Sequence, residues 1–311
     1  MPNKMILVTG ANGQIGQVLT KRLREIHGAD NVLASDITKI EGYEEKFEFL
    51  DILNKNRMKE IIHDFDVTQI YHLAAILSAN GEWNPKKTWN INMNGVLTMF
   101  SLAEEKKIDK IFLPSTIAVF GTTTPRINTP QHVPLMPETV YGMSKATCEN
   151  WSNYFYNRYK LDIRSLRYPG IIGYQSLPGG GTTDYAVEIF YAALRGEEYT
   201  CFLKPDTRLP MMYMDDAIRA TTEIMSAEEK DIKIRTSYNL AAMSFTPAEI
   251  TAEIQKHIPD FRVKYEPDFR QEIASSWTES IDDSHARSDW AWNHKYNLEK
   301  MVKDMLENVM V

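Results

Sequence analysis

The chain has 311 residues, with 35 Lys and Arg against 42 Asp and Glu, for a formal net charge of −7. A hydrophobic share of 43% and a charged share of 25% exclude disordered and fibrous classes and suit one large α/β unit, alone or with a satellite. The acidic balance argues against a nucleic-acid partner, and no apolar run approaches the roughly 18 residues of a membrane span.

In chain order, short apolar runs alternate with amphipathic stretches. Strands are expected at Met5–Thr9, Asn31–Asp36, Lys46–Leu50, Gln69–Leu73, Lys110–Ser115 and Asp162–Arg167. Helices are expected at Gln14–His27, Asn54–Asp64, Thr88–Lys107 and Tyr141–Tyr159. This rhythm predicts a Rossmann-type α/β fold, a doubly wound parallel sheet with helices on both faces. Past Tyr168 the rhythm breaks at Pro169-Gly170 and Pro178-Gly179-Gly180-Gly181. A helix from Thr182 or Thr183 to Arg195 follows, then a strand at Leu209–Tyr213 and a helix from Asp215. Next come a strand at Thr236–Leu240 and a helix with Thr246 as N-cap and Pro247 first. The expected organisation is a dinucleotide-binding part over residues 1–168 and, over 169–311, mainly a smaller substrate lid, with some elements returning to the first part.

The N-terminus runs straight into a strand and lacks a signal peptide's long apolar core, so a cytoplasmic protein is expected. Only Cys148 and Cys201 are present, without a CxxC or Cys/His cluster, which leaves neither a disulfide framework nor a metal site.

Gly10-Ala11-Asn12-Gly13-Gln14-Ile15-Gly16 links the first strand to the first helix. Gly10 permits the tight turn, Gly13 lets backbone approach a pyrophosphate, and Gly16 lets the helix lie close on the strand, its N-terminal N–H groups facing the anion. Glycines alone are a weak signal, but Asp36 ends the second strand 20 residues past Gly16. A carboxylate there accepts from ribose hydroxyls and repels a 2′-phosphate, which favours NAD over NADP. Asp51-Ile52 is a candidate for the adenine side, with surface polarity an equal explanation. His72 is read as structural, and Leu73-Ala74-Ala75 leaves room for the cofactor over the strand tips.

Tyr141 and Lys145 stand one turn apart on one helix face, where the cation is expected to lower the phenol's pKa from its usual value of about 10. Ser115 and Thr116, at the end of the fifth strand, are both candidates for orienting a substrate oxygen.

Together these features resemble the extended short-chain dehydrogenase/reductases, along essentially the whole chain. The resemblance implies that Tyr141 is the acid/base, Lys145 its partner and Asn92 the helix-four asparagine. It adds Gln14, Ile15 and Tyr168 to the cofactor contacts. Counting back from Val119-Phe120-Gly121 favours Thr116 as the strand-five hydroxyl, with Ser115 adjacent.

The downstream segments Ser165–Gly170, Gly179–Ala186, Met211–Asp216, Tyr238–Pro247 and Pro267–Ser284 resemble the short-chain L-threonine 3-dehydrogenase family. That resemblance implies NAD-dependent oxidation of L-threonine to 2-amino-3-oxobutyrate without metal. Gly181, Thr182, Thr183 and a helix N-terminus would hold the carboxylate, Ser78 and Asp184 the amino side, and Trp277 would cover the pocket, with a packed lid tryptophan an equal explanation. Thr278 departs from an expected proline and is expected to loosen its turn. A nucleotide-sugar epimerase or dehydratase is the alternative, and an NAD-sensing binding protein ranks last. Trp151, Tyr154, Phe155 and Arg158 read as a core stripe, some of which would face the partner of a homodimer.

Overall fold

Apolar strands flanked by amphipathic helices settle into layers, and the computed structural model, which describes residues 5–39, 46–175, 177–179 and 181–311, is built that way. The first half runs β1 (Met5–Thr9), α1 (Gln14–His27), β2 (Val32–Asp36), β3 (Phe47–Phe49), α2 (Lys55–Asp64), β4 (Val67–His72), α3 (Ser78–Glu82), α4 (Pro85–Trp89), α5 (Gly95–Lys106), β5 (Lys110–Phe112), β6 (Ser115–Thr116), α6 (Val140–Tyr159) and β7 (Asp162–Arg164). Six parallel strands form the central sheet in the order β3-β2-β1-β4-β5-β7. All five residues of β1 are buried, as a strand covered on both faces requires. Strand order reverses between β1 and β4, and there the carboxyl ends of the strands open a crevice.

The second half runs β8 (Leu166–Tyr168), β9 (Gly170–Ile172), α7 (Tyr185–Arg195), β10 (Tyr199–Cys201), β11 (Leu209–Tyr213), α8 (Met214–Ser226), β12 (Tyr238–Asn239), β13 (Met243–Phe245), α9 (Pro247–Gln255), β14 (Val263–Tyr265), α10 (Phe269–Ser275), α11 (Ser284–Trp290) and α12 (Leu298–Asn308). Its strands make three small sheets, β12-β8-β6, β13-β11-β9 and β10-β14. A lid core gathers Tyr185, Phe190, Leu209, Ile250 and Met301. By contrast Ile224 of α8 and Trp290 and Trp292 near α11 share a core with Leu19 and Leu23 of α1. Chain beyond residue 168 therefore serves both bodies. Thr246 caps α9 with a full capping box, its hydroxyl accepting from Glu249 N–H while Glu249 accepts from Thr246 N–H.

Four expected elements differ. The strand expected at Lys110–Ser115 splits into β5 and β6, because Pro114 has no N–H to continue the ladder. The one expected at Asp162–Arg167 splits likewise: β7 stays in the central sheet while β8 pairs with β6. The helix expected at Thr88–Lys107 is α4 and α5 joined by one wide π turn at Asn90–Asn94. Finally α7 opens at Tyr185 rather than Thr182 or Thr183, because Asp184 Oδ2 accepts Gly181 N–H at 2.8 Å and holds a separate turn ahead of it. Gly180, part of the expected glycine run, lies outside the described residues. Among the described residues no helix is long and apolar enough to cross a membrane.

Candidate active site

One cleft of about 230 Å³ lies between sheet and lid, at the point where strand order reverses. Its floor begins with the glycine turn. Gly10 has φ +70°, and a Cβ there would come within 2.6 Å of Ala74 N. A Cβ on Gly16 would stand 2.2 Å from Gly10 O, so this glycine seats α1 against the turn. At Gly13 the nearest atom to such a Cβ is Gly10 O at 3.4 Å, and the remaining space belongs to the cleft that Gly13 lines. We expect Gly16→Ala to displace α1 and weaken NAD binding about tenfold or more, the equivalent of the roughly 1–3 kcal/mol cost of overpacking. Titration of NADH fluorescence, beside a thermal melt, measures it.

Gln14 and Ile15 line the cleft with these glycines, and the Gln14 amide nitrogen is buried without a hydrogen-bond partner. Asp36 stands beside the turn, its carboxylate accepting Asn12 N–H at 3.0 Å and Ile37 N–H at 2.7 Å. Nearby Lys39 lies 5.8 Å from the Phe47 ring centroid. Leu73 and Ala75 line the cleft, whereas Ala74 packs over Gly10. Four other expected cofactor residues also lie away from the lining, Asp36 beside the turn and three more. Asp51 is exposed and accepts Leu53 N–H at 2.9 Å, and Ile52 is buried against Gly95 of α5. Asn92 is buried in the π turn, where its amide accepts from Ile76 N–H at 2.9 Å and donates to Ile76 O at 3.0 Å. It braces the segment that leads from β4 into the cleft wall. Tyr168 reaches the lining, but its hydroxyl is engaged with Thr221, and burial raises its pKa.

Thr139 caps α6, accepting Gly142 N–H at 3.0 Å, and this start places Tyr141 and Lys145 at the cleft. Burial pushes the Tyr141 phenol up to about 12, opposed by a hydrogen bond with Thr116. Lys145 is buried, which lowers its pKa, and donates to Pro114 O at 2.9 Å. The lowering expected from the cation is thus not what sets the phenol: loss of water raises it, and the opposing influence is the Thr116 hydroxyl. His72, buried, pairs Nδ1 with the Thr9 hydroxyl at 2.8 Å, and burial with the Lys145 charge takes it down to about 3. It stays neutral at ordinary pH, the state of a structural histidine.

The two strand-five hydroxyls separate. Thr116 Oγ1 accepts Ala118 N–H at 3.2 Å and is the hydroxyl that opposes the rise of the Tyr141 phenol, while Ser115 donates to Glu149 at 2.5 Å. Opposite them stand Gly181, Thr182, Thr183, Asp184 and Trp277. Ser78 joins the two sides, its hydroxyl 3.3 Å from that of Thr182. Trp277 is buried, and the next residue explains its fixed place. Thr278 Oγ1 lies 2.8 Å from Arg126 O and 2.9 Å from Ser280 O, and it also meets the Thr129 hydroxyl. The expected loosening at Thr278 is therefore reversed: a buried hydroxyl ties this turn to the 126–129 loop.

Sequence reasoning missed Leu77, Pro114 and Ile117 in the cleft wall, which carry no chemical signature. It also missed Glu149 and Arg167, whose signal was a charge on the buried face of α6 and another inside an apolar strand.

Residues 6–241 match the model of the NAD dependent epimerase/dehydratase family. An uncharacterized epimerase/dehydratase from Staphylococcus aureus (strain MRSA252) is 44% identical, over 98% of this chain and 97% of that one. The holo form of a GalE-like L-threonine dehydrogenase from Cupriavidus necator superposes with TM-score 0.97 at 48% identity, covering 98% of this chain and 100% of that one. The apo form of the same enzyme gives 0.87 at 44% identity, covering 99% and 100%. A monomeric L-threonine 3-dehydrogenase of metagenomic origin gives 0.96 at 44% identity, with 98% of each chain covered. The open space at Gly13, the unpartnered Gln14 amide and the acid beside the turn fit a dinucleotide, and NAD is the cofactor of this oxidoreductase-type enzyme. With the match spanning most of the chain and the likeness all of it, the protein belongs to the NAD dependent epimerase/dehydratase family.

Proposed function

We propose that the chain oxidises L-threonine to 2-amino-3-oxobutyrate. The observation that carries this reading is one cleft in which Tyr141, Thr116 and Lys145 face the Gly181–Asp184 turn, in a chain similar along its length to L-threonine dehydrogenases. Ser78, Thr182, Thr183 and Asp184 make a small polar pocket suited to an amino acid rather than to a sugar nucleotide.

Gly10, Gly13, Gly16, Gln14 and Ile15 would cradle the pyrophosphate, and Asp36 would take the adenosine ribose hydroxyls. NAD, when bound, supplies the hydride acceptor. Tyr141, as phenolate, takes the proton of the β-hydroxyl at its Oη. Thr116 holds that oxygen by a hydrogen bond, and Lys145 stabilises the phenolate by charge. Thr182 and Thr183, with N–H groups ahead of α7, hold the carboxylate. Asp184 and Ser78 answer the ammonium group, and Trp277 excludes water from the reacting carbon.

Formation of NADH with L-threonine, set beside L-serine, L-allo-threonine and UDP-glucose, tests the reading. Activity on the sugar nucleotide alone replaces it with epimerase chemistry. Asp36→Ala is expected to erode the preference for NAD over NADP about tenfold, since it removes the repulsion of a 2′-phosphate. Unchanged discrimination in initial rates removes that assignment.

We also propose a cytoplasmic homodimer, built on α5 and α6. Met143 and Tyr154 on α6 and Trp89 on α4 are exposed apolar groups for such an interface. Trp151 and Phe155 instead pack into the core. The monomeric relative makes the state worth measuring, and a light-scattering mass of one chain at every concentration ends the dimer.

A further inference from the structure

Ser115 Oγ donates to Glu149 Oε1, and Arg167 grips the same carboxylate as a fork, Nε to Oε1 at 2.9 Å and Nη2 to Oε2 at 2.7 Å. Glu149 is 2% exposed and Arg167 4%. The remaining arm, Arg167 Nη1, donates to Gln131 O and to Asn239 Oδ1, each at 3.0 Å. Asn239 donates onward to Thr129 O and Asp282 O, each at 3.1 Å. Thr129 is also the hydroxyl met by Thr278, next to Trp277.

An ion pair this buried contributes little net stability. Desolvation offsets most of the attraction, and apolar side chains of equal volume often serve as well. What the fork supplies is direction, because two parallel bonds fix both planes. Glu149 lies one turn beyond Lys145 and two turns beyond Tyr141 on α6. Arg167 is the register partner of Ser115, as Tyr168 is of Thr116. The pair therefore fixes α6 against the two strands at whose ends Thr116 meets Tyr141.

We propose that Glu149 and Arg167 are positioning residues of the oxidation. They set the rotation of α6 that brings the Tyr141 hydroxyl to Thr116, and Ser115 acts through Glu149 rather than on the substrate oxygen. Through Asn239, Gln131 and Thr129 the same fork ties this setting to the lid segment that carries Trp277. The inference rests on Tyr141 as the base.

Three variants test it, each scored as a ratio to wild type on whichever alcohol the wild type oxidises. Glu149→Gln is expected to lower kcat by about ten- to a hundredfold with KM within about threefold, and to lower Tm because Arg167 loses its counter-charge. The double variant Glu149→Met/Arg167→Met removes both charges; its Tm should recover to near wild type while kcat stays at least about tenfold down. Ser115→Ala should lower kcat about tenfold in the wild type and add nothing in the Glu149→Gln background. Wild-type kcat in the double variant, or multiplicative losses for Ser115→Ala and Glu149→Gln, overturns the proposal. If the double variant does not fold, the Ser115 cycle alone decides. A wild type that oxidises another alcohol but not L-threonine refutes the substrate and leaves these ratios valid. One that oxidises no alcohol refutes the base and the positioning pair together.

Discussion

Tyr141→Phe is expected to lower kcat by about a hundred- to ten-thousandfold, the range that a positioned general base contributes. Phenylalanine fills the same volume, so the fold and NADH affinity should stay near wild type. What disappears is the phenol oxygen whose pKa the Thr116 hydroxyl lowers. The pH profile sharpens the test. With the phenol pushed up to about 12 by burial, the phenolate is the minor form at neutral pH. A base acts only when deprotonated, so kcat/KM should climb about tenfold per pH unit below the apparent pKa. Bound cofactor and Lys145 favour the anion, and should bring that apparent value below the one set by burial alone. Steady-state rates across about pH 6–10 read both quantities. More than about a tenth of wild-type kcat in the variant, or a flat wild-type profile, removes Tyr141 from its role.

The features of this site that could be read from sequence are those whose cause is local. Gly16 answers a steric demand within a few residues, Gly10 takes the positive φ of the tight turn, and α1 begins and ends where the pattern puts it. Strand β11 at Leu209–Tyr213 and the Thr246 N-cap were legible for the same reason. Tyr141 and Lys145 share a face by helical spacing alone. The doubly wound sheet followed from the alternation of elements, since parallel strands need crossovers long enough to hold a helix.

What was not legible depends on partners distant in the chain. Ser115 and Thr116 are chemically similar and adjacent; only Glu149, 34 residues on, shows which hydroxyl is already taken. Asn92 carries a motif position, yet both ends of its amide are spent on Ile76. Thr278 looked like a missing proline until the 126–129 loop arrived to receive its hydroxyl. Even the phenol's pKa reverses the local expectation, because the helix neighbour is visible in sequence and the desolvation is not. Spacing predicts which side chains can meet, and tertiary packing decides which of them have an atom to spare.

A second buried ion pair allows the opposite result to be predicted. Arg164 is fully buried on β7, gripping Asp162 with Nη2 to Oδ2 at 2.7 Å. Its Nη1 donates to Ile224 O at 2.5 Å and Ala227 O at 2.7 Å, closing the carboxyl end of α8 with a positive charge. Arg164→Met leaves both carbonyls without that donor, and Asp162 with Arg235 as its remaining cation. Breaking one side of such a pair costs about 3–5 kcal/mol, which lowers Tm by roughly 5–15 °C. Because α8 and α1 share one core, the loss falls on the body that binds NAD, and saturating cofactor should restore part of it. At about a hundred times its Kd, NAD returns roughly 2.7 kcal/mol. Arg164 lies outside the cleft lining, so kcat in the cold, where the variant stays folded, should remain within about twofold of wild type. Glu149 and Arg167 are buried to a similar degree and paired by the same chemistry, yet their apolar double variant is expected to keep Tm and lose kcat. Melting curves with and without NAD, read beside kcat, separate the two pairs. A Tm within about 2 °C of wild type for Arg164→Met, or a kcat loss matching that of Glu149→Gln, would show that distance from Tyr141 does not separate these two pairs.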